Sequence, residues 1–249
     1  MIKIRGILFD KDGTLLDFKA MWLPVMGELA AGLIAEYGLS APCGEALLAS
    51  IGVFQREIDG RGLFATGTGE QVGEALYDCL LELGIKAGVR EEFAQQVTLN
   101  VNALAEKYRE RIFPIGNLAE TIGELKNRGF YLGTSTSDTK GSTLLCLERL
   151  GVLEYFDFLG TDDGVRQHKP HGDLLHAFCQ EFSLQPDEVA IVGDTQVDLQ
   201  FAKNNGAGLA VGVLSGLGTW EALAPLADLV LPDVNALLRV DYFSGRGLE

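Results

Sequence analysis

The stretch Ile7-Leu8-Phe9-Asp10-Lys11-Asp12-Gly13-Thr14 runs from three consecutive apolar residues into two acids and a glycine. A short apolar run bounded by a turn signal reads as a strand buried on both faces, and such strands belong to parallel sheets covered by helices. The spacing therefore predicts a central strand with acidic side chains at its end. Val189-Ala190-Ile191-Val192, running into Gly193-Asp194, repeats the arrangement far along the chain.

Outward from these two strands the chain has two textures. From Asn117 it alternates: a helix through Leu118, Ile122 and Leu125 closing at Gly129, a strand over 131–136, a helix over 139–150, a strand over 156–160 and a helix over 174–182. After the strand at 189–192 come a helix over 197–205, a strand over 209–213 and a short last strand over 229–231. Such alternation implies βαβ units and a doubly wound, mostly parallel α/β sheet of Rossmann-like type. The stretch from about Phe18 to about Phe113 instead keeps helical periodicity, as in Leu29, Leu33, Ile34 and Tyr37 before Gly38. The predicted organisation is an α/β core of residues 1–17 plus 114–249, interrupted by an all-helical insertion over 18–113.

Composition narrows the partners. Of 249 residues, 47% are hydrophobic and 22% charged, as in soluble globular domains. The net charge of −15 repels phosphate backbones and anionic lipid, so neither nucleic acid nor a membrane surface is an expected partner. Any anionic substrate must be held by local positive charge, a metal or backbone N–H groups. Cys43, Cys79, Cys146 and Cys179 form no CxxC pair, which argues against zinc and redox motifs and for reduced thiols. The apolar start is too short for a signal segment, and the window 21–35 holds Pro24 and Glu28, short of the roughly 18 unbroken apolar residues of a membrane span. The expected setting is cytoplasmic. Leu248-Glu249 reads as a scar of expression and is set aside.

Ligands of open parallel sheets bind beyond the carboxyl ends of the strands. The predicted strand ends carry Asp10 and Asp12, Thr136 and Ser137, and Asp194 with Asp198; Lys169-Pro170 lies in the segment past the third strand. Residues two apart in extended chain face one way, so Asp10 and Asp12 point into one space while Lys11 points elsewhere. Two close carboxylates are tolerable if a divalent cation sits between them or one keeps its proton. With Asp194 they make an oxygen-rich site suited to Mg²⁺. Lys169 and the Thr136 hydroxyl complete a crevice able to neutralise a phosphoryl group. Asp10 is the natural nucleophile for in-line attack on phosphorus, and Asp12 is placed to protonate the leaving alkoxide and later to deprotonate water.

Asp10-Lys11-Asp12-Gly13-Thr14-Leu15, Thr136-Ser137, Lys169-Pro170 and Gly193-Asp194-Thr195-Gln196-Val197-Asp198 resemble, in order, the four motifs of the haloacid dehalogenase superfamily. The insertion resembles that family's α-helical cap, and the whole chain is most similar to its phosphoglycolate phosphatase-like branch. The resemblance implies Asp10 as nucleophile and Mg²⁺ ligand, Asp12 as acid/base whose main-chain carbonyl also binds the metal, and Asp194 as third protein ligand. It implies Thr136 and Lys169 on the phosphoryl oxygens, and Asp198 orienting Lys169 or a metal-bound water. The sequence departs from the pattern at Lys11, where the family usually has an apolar residue, and at Phe18-Lys19, where a Ser usually stands.

The glycines at 60, 62, 67, 69 and 73 lack the preceding strand of a nucleotide-binding loop, so they read as a cap loop whose Arg56 and Arg61 are candidate anion contacts. His168, His171 and His176 read as loop and helix-surface residues. The reading is a Mg²⁺-dependent phosphatase acting on a small organic phosphate, with cap closure excluding bulk water. A phosphomutase on the same scaffold and a non-catalytic protein holding Mg²⁺ or a phosphorylated ligand are the rivals. A dehalogenase has no need of Asp12.

Overall fold

A computed structural model describes residues 3–55 and 57–245; Arg56 and Leu248-Glu249 lie outside the described residues. In chain order the elements are β1 (Gly6–Phe9), α1 (Phe18–Tyr37), α2 (Ala41–Ser50), β2 (Val53–Phe54), β3 (Glu57–Ile58), α3 (Leu63–Thr66), α4 (Gly69–Glu82) and α5 (Arg90–Lys107). They continue as α6 (Leu118–Asn127), β4 (Tyr131–Thr139), α7 (Lys140–Arg149), β5 (Phe158–Asp162), α8 (Asp173–Phe182), β6 (Val189–Gly193), α9 (Gln196–Asn204), β7 (Leu209–Val213), α10 (Trp220–Leu223) and β8 (Leu229–Leu231). The chain divides into two compact units, one of Met1–Asp17 with Ile112–Glu249, the other of Phe18–Arg111.

The first unit is a six-stranded sheet in the order β5-β4-β1-β6-β7-β8, every neighbouring pair parallel. Both faces of β1 and β6 are buried, which is why their sequences are apolar without alternation. Leu8, Val189 and Ile191 join a core with Leu174, Leu175 and Phe178 of α8, Leu199 and Phe201 of α9, and Leu223 of α10. Ile7, Phe9, Ala190 and Val192, equally buried, face the other layer by strand alternation. Two glycines make room for the ring of Phe178 in this core. A Cβ at Gly6 would lie 2.5 Å from Phe178 Cε1, and one at Gly133 3.1 Å from Phe178 Cε2. Phe178 also meets Phe158 and Phe182 edge-on, at 5.5 and 5.1 Å between ring centres. Near the site, the β4–β5 pairing shifts register between Ser135 and Thr139, so residues 136–138 leave the regular ladder before Thr139 pairs with Asp162.

The second unit is helical except for the two-stranded antiparallel hairpin β2–β3, too short to register as a strand pattern in sequence. One of its glycines serves helix packing. A Cβ at Gly73 would lie 2.6 Å from Ala94 Cα, so the glycine allows α4 and α5 to approach closely. Thr68 caps α4 by accepting from Gln71 N. Helix α1 reaches 20 residues, longer than the window considered above, and by length and apolarity alone is enough to cross a bilayer. Its Met21, Trp22, Val25, Met26, Leu29 and Leu33 are buried within the protein.

Phe178→Ala should cost about 3–5 kcal/mol, because the two glycines beneath the ring hold no side chain able to refill the space. Urea unfolding followed by far-ultraviolet circular dichroism measures this; a loss below about 1 kcal/mol would show that the ring is dispensable to the core.

Candidate active site

β1 lies between β4 and β6, at the point where the chain reverses its direction of travel across the sheet. The carboxyl ends of these three strands therefore open onto one crevice. Asp10 follows β1 directly and its N–H still donates to Val192 O at 2.8 Å, carrying the ladder one residue past the strand. Asp194 follows β6, and Asp198 lies in the first turn of α9. Carboxylate oxygens of Asp10, Asp194 and Asp198 lie within 4.8 Å of one another, a set able to hold a metal ion. All three residues are nearly or fully buried, with exposures of 9%, 1% and 1%.

Asp194 is fixed from two sides. Leu217 N–H donates to its Oδ2 at 2.8 Å, and Thr14 Oγ1 approaches Oδ1 at 3.5 Å. Backbone crowds the carboxylate: Gly13, at φ +78°, would put a Cβ 2.4 Å from Asp194 Oδ2, and Gly216 would put one 1.9 Å away. Ser215 Oγ donates to Gly13 O at 2.8 Å and ties the two loops together. This loop after β7 was not foreseen from the sequence. The signal was Ser215-Gly216-Leu217-Gly218 at a predicted strand end, but the working group is a main-chain N–H, which no side-chain motif marks.

Lys169 supplies the local positive charge. Its Nζ donates to Asp10 Oδ1 at 2.7 Å and to Asp198 Oδ1 at 2.5 Å, with only 6% of its side chain exposed. Asp198 Oδ2 accepts from Thr195 N at 3.1 Å and Thr195 Oγ1 at 2.7 Å. Asp198 thus holds Lys169 with one oxygen and closes onto Thr195 at the start of α9 with the other. Asn205, also not foreseen, donates through Nδ2 to Pro170 O at 3.0 Å and anchors the loop that carries Lys169.

Burial pushes the Asp10 carboxyl up from 3.8 to about 7; Lys169 opposes the rise, while Asp198 and Asp12 add to it. Burial, then the charges of Asp10 and Asp198, likewise lift Asp194 well above the carboxylate range. For Lys169 burial favours loss of the proton, but Asp10 and Asp198 outweigh it and keep the ammonium protonated above its ordinary range.

The expectation puts Asp10 and Asp12 in one space and Lys11 elsewhere, and it is the lysine that departs from it. Lys11 does not simply point away: its side chain is fully buried and its Nζ hydrogen-bonds the Asp12 carboxylate. The same ammonium meets Asp138 Oδ2 at 3.0 Å and lies 3.8 Å from Cys146 Sγ. Thr136 is buried where β4 leaves the regular ladder, and its Oγ1 accepts from Asp138 N at 3.2 Å. Ser137 beside it is half-buried. Arg61 belongs to the helical unit, where it is exposed and lies 3.7 Å from Asp59; Arg56 is outside the described residues. His171 and His176 are exposed, and His168 lies 3.8 Å from Asp162.

Comparison with known proteins adds an independent line. The family model for haloacid dehalogenase-like hydrolases matches residues 4–206. A phosphoglycolate phosphatase of Shigella sonnei is 28% identical over 252 residues, covering 93% of this chain and 88% of its own. Among solved structures, a predicted phosphoglycolate phosphatase from Haemophilus somnus superposes with TM-score 0.71 at 19% identity, covering 96% of this chain and 98% of its own. A β-phosphoglucomutase from Clostridium difficile gives TM-score 0.68 at 18% identity, with 97% of each chain covered. At these identities the two structures speak to the fold alone.

The raised carboxyl pKa values fix a sign. Folded Asp10 retains a proton that the unfolded chain releases above its ordinary 3.8, so it costs stability progressively as pH rises toward about 7, and the raised Asp194 acts in the same direction. In chelator, wild-type stability should fall with rising pH relative to Asp194→Asn. A divalent cation competes with those protons, and at a hundredfold excess over its Kd it should add about 2.7 kcal/mol near neutral pH. The gain should be smaller near pH 5, as read by thermal melts with and without cation. An equal gain at both pH values, or one retained in Asp194→Asn, would place the ion elsewhere.

Proposed function

From membership of the haloacid dehalogenase-like hydrolase family, to which this chain belongs, we propose that the protein is a Mg²⁺-dependent phosphatase that hydrolyses a small organic phosphate monoester through an aspartyl-phosphate on Asp10. The observation that carries the reading is the buried Lys169 ammonium bonded to Asp10 Oδ1 at 2.7 Å, inside a cluster of three carboxylates. A phosphoryl group arriving at Asp10 meets a fixed cation that is already desolvated, the condition under which electrostatic stabilisation is largest.

The residues fit a hard divalent cation. Oxygen donors whose pKa values are raised by burial and then by one another's charge are a poor arrangement without added positive charge, and all-oxygen donors select Mg²⁺-like ions. Asp10, Asp194 and the Asp12 main-chain carbonyl would hold it. When bound, it supplies charge neutralisation for the phosphoryl oxygens and keeps Asp10 ionised. Asp10 attacks phosphorus and the ester oxygen leaves with a proton from Asp12. Water then attacks the aspartyl-phosphate, Asp12 takes its proton, and Asp10 is regenerated. Lys169, Thr136 and Ser137 bind phosphoryl oxygens, while Asp198 holds Lys169 in place. The relatives named phosphoglycolate phosphatase support a substrate of that size and charge.

The family's hydrolase character favours water over a sugar hydroxyl as the final acceptor. Purified protein with Mg²⁺ should release phosphate from small esters, ranked by kcat/KM, and should not isomerise sugar phosphates; isomerisation without phosphate release would make it a mutase. Asp10→Asn should lower kcat by about a thousandfold or more and abolish a trapped phosphoenzyme while the protein stays folded. Appreciable residual turnover would remove Asp10 from the role of nucleophile.

A further inference from the structure

Lys11 is unused by the mechanism above. Its side chain is fully buried beside an acid/base whose own side chain is 16% exposed. An ammonium taken out of water is costly unless its protons are met, and an apolar side chain of similar volume fills such a place at lower cost. Here the ammonium hydrogen-bonds Asp12 Oδ2, pairs with Asp138 Oδ2 at 3.0 Å and lies 3.8 Å from Cys146 Sγ. The acceptors come from different elements. Asp138 lies at the end of β4 and its Oδ2 also accepts from Ser142 Oγ of α7 at 2.8 Å; Cys146 is one turn further along that helix. Thr139 caps the helix by accepting from Ser142 N at 3.3 Å. The ammonium is thereby moored to the β4–α7 junction, and through it the Asp12 carboxylate is moored too.

We propose that Lys11, anchored by Asp138, is a positioning residue that holds the Asp12 carboxyl group in place for its proton exchange. The proposal rests on the phosphatase reading. In the first step the bond from Asp10 to phosphorus forms, the phosphorus–ester oxygen bond breaks, and the ester oxygen takes the proton of the Asp12 carboxyl group. In the second step water oxygen bonds to phosphorus, its proton passes to the Asp12 carboxylate, and the Asp10–phosphorus linkage breaks to release phosphate. A carboxyl free to turn would spend much of its time with neither oxygen aimed at the ester, and the loss falls on the step that needs the proton.

The test uses the full chain with Mg²⁺ and phosphate monoesters ranging from p-nitrophenyl phosphate, whose leaving group needs no acid, to simple alkyl phosphates, whose leaving groups do. The value of kcat/KM reports the first step alone. In Lys11→Met it should fall on the order of a hundredfold for alkyl esters and less than tenfold for the aryl ester, steepening the dependence on leaving-group basicity. Asp138→Asn should steepen it in the same direction by a smaller factor. A loss shared equally by all esters in either variant would make Lys11 a packing residue and overturn the proposal. Should Lys11→Met fail to fold, the Asp138→Asn series decides by the same criterion. Absence of turnover by the unsubstituted protein across the series would overturn the phosphatase reading, and this one with it.

Discussion

Three carboxylates share a buried space at one end of a parallel sheet, with a single ammonium between two of them. That crowding governs the surrounding structure. Like charges so close disfavour one another's ionisation, and the fold offsets this by giving each of the three carboxylates at least one hydrogen-bond donor. Lys169 answers Asp10 and one oxygen of Asp198, Thr195 answers the other, and Leu217 N–H answers Asp194. The supporting parts have the same purpose. Gly13 and Gly216 let backbone close around Asp194, and Asn205 secures the loop of Lys169. A stable protein of ordinary design would avoid this arrangement, and a site that must hold a cation and accept a phosphoryl group has reason to build it.

What the chain discloses before folding follows from how local the cause is. The strands β1 and β6 were legible because burial on both faces writes an unbroken apolar run, and helices over 118–127 and 173–182 were legible because their periodicity ends in glycine or a turn. Asp10 and Asp194 were legible because a strand end determines where its next residue stands. The hairpin at Val53–Phe54 and Glu57–Ile58 was not, since two-residue strands leave no period to detect. Gly73 was read as loop flexibility, whereas its function is the approach of α5, a contact remote in sequence. For Lys11 strand alternation gave the direction of the Cβ, but four methylenes carry the ammonium back to Asp12 and Asp138, and the rule says nothing about where they end.

Asp198 illustrates how two readings of one residue can both be physical. As the third helical position of α9 it completes a capping box with Thr195, which any acid there would do. The packing of its Cβ over Gly193, where an added Cβ would come within 2.3 Å, turns the second oxygen toward Lys169. The cap is thus part of the site: what starts the helix also aims the lysine. The same economy holds at Thr139, which caps α7 beside the Asp138 that receives Lys11.

A chain of net charge −15 that handles an anion works against its own field, and both of its buried lysine side chains are spent near the acids of the crevice. Neither lysine is a surplus charge, for each is matched by at least two carboxylates. The positive charge needed by an incoming dianionic ester must then come largely from an ion that the acids recruit. In that account the acidity of the cluster is the means of concentrating a cation where the anion will react, and folding, cation binding and the reactivity of Asp10 become linked through one electrostatic balance.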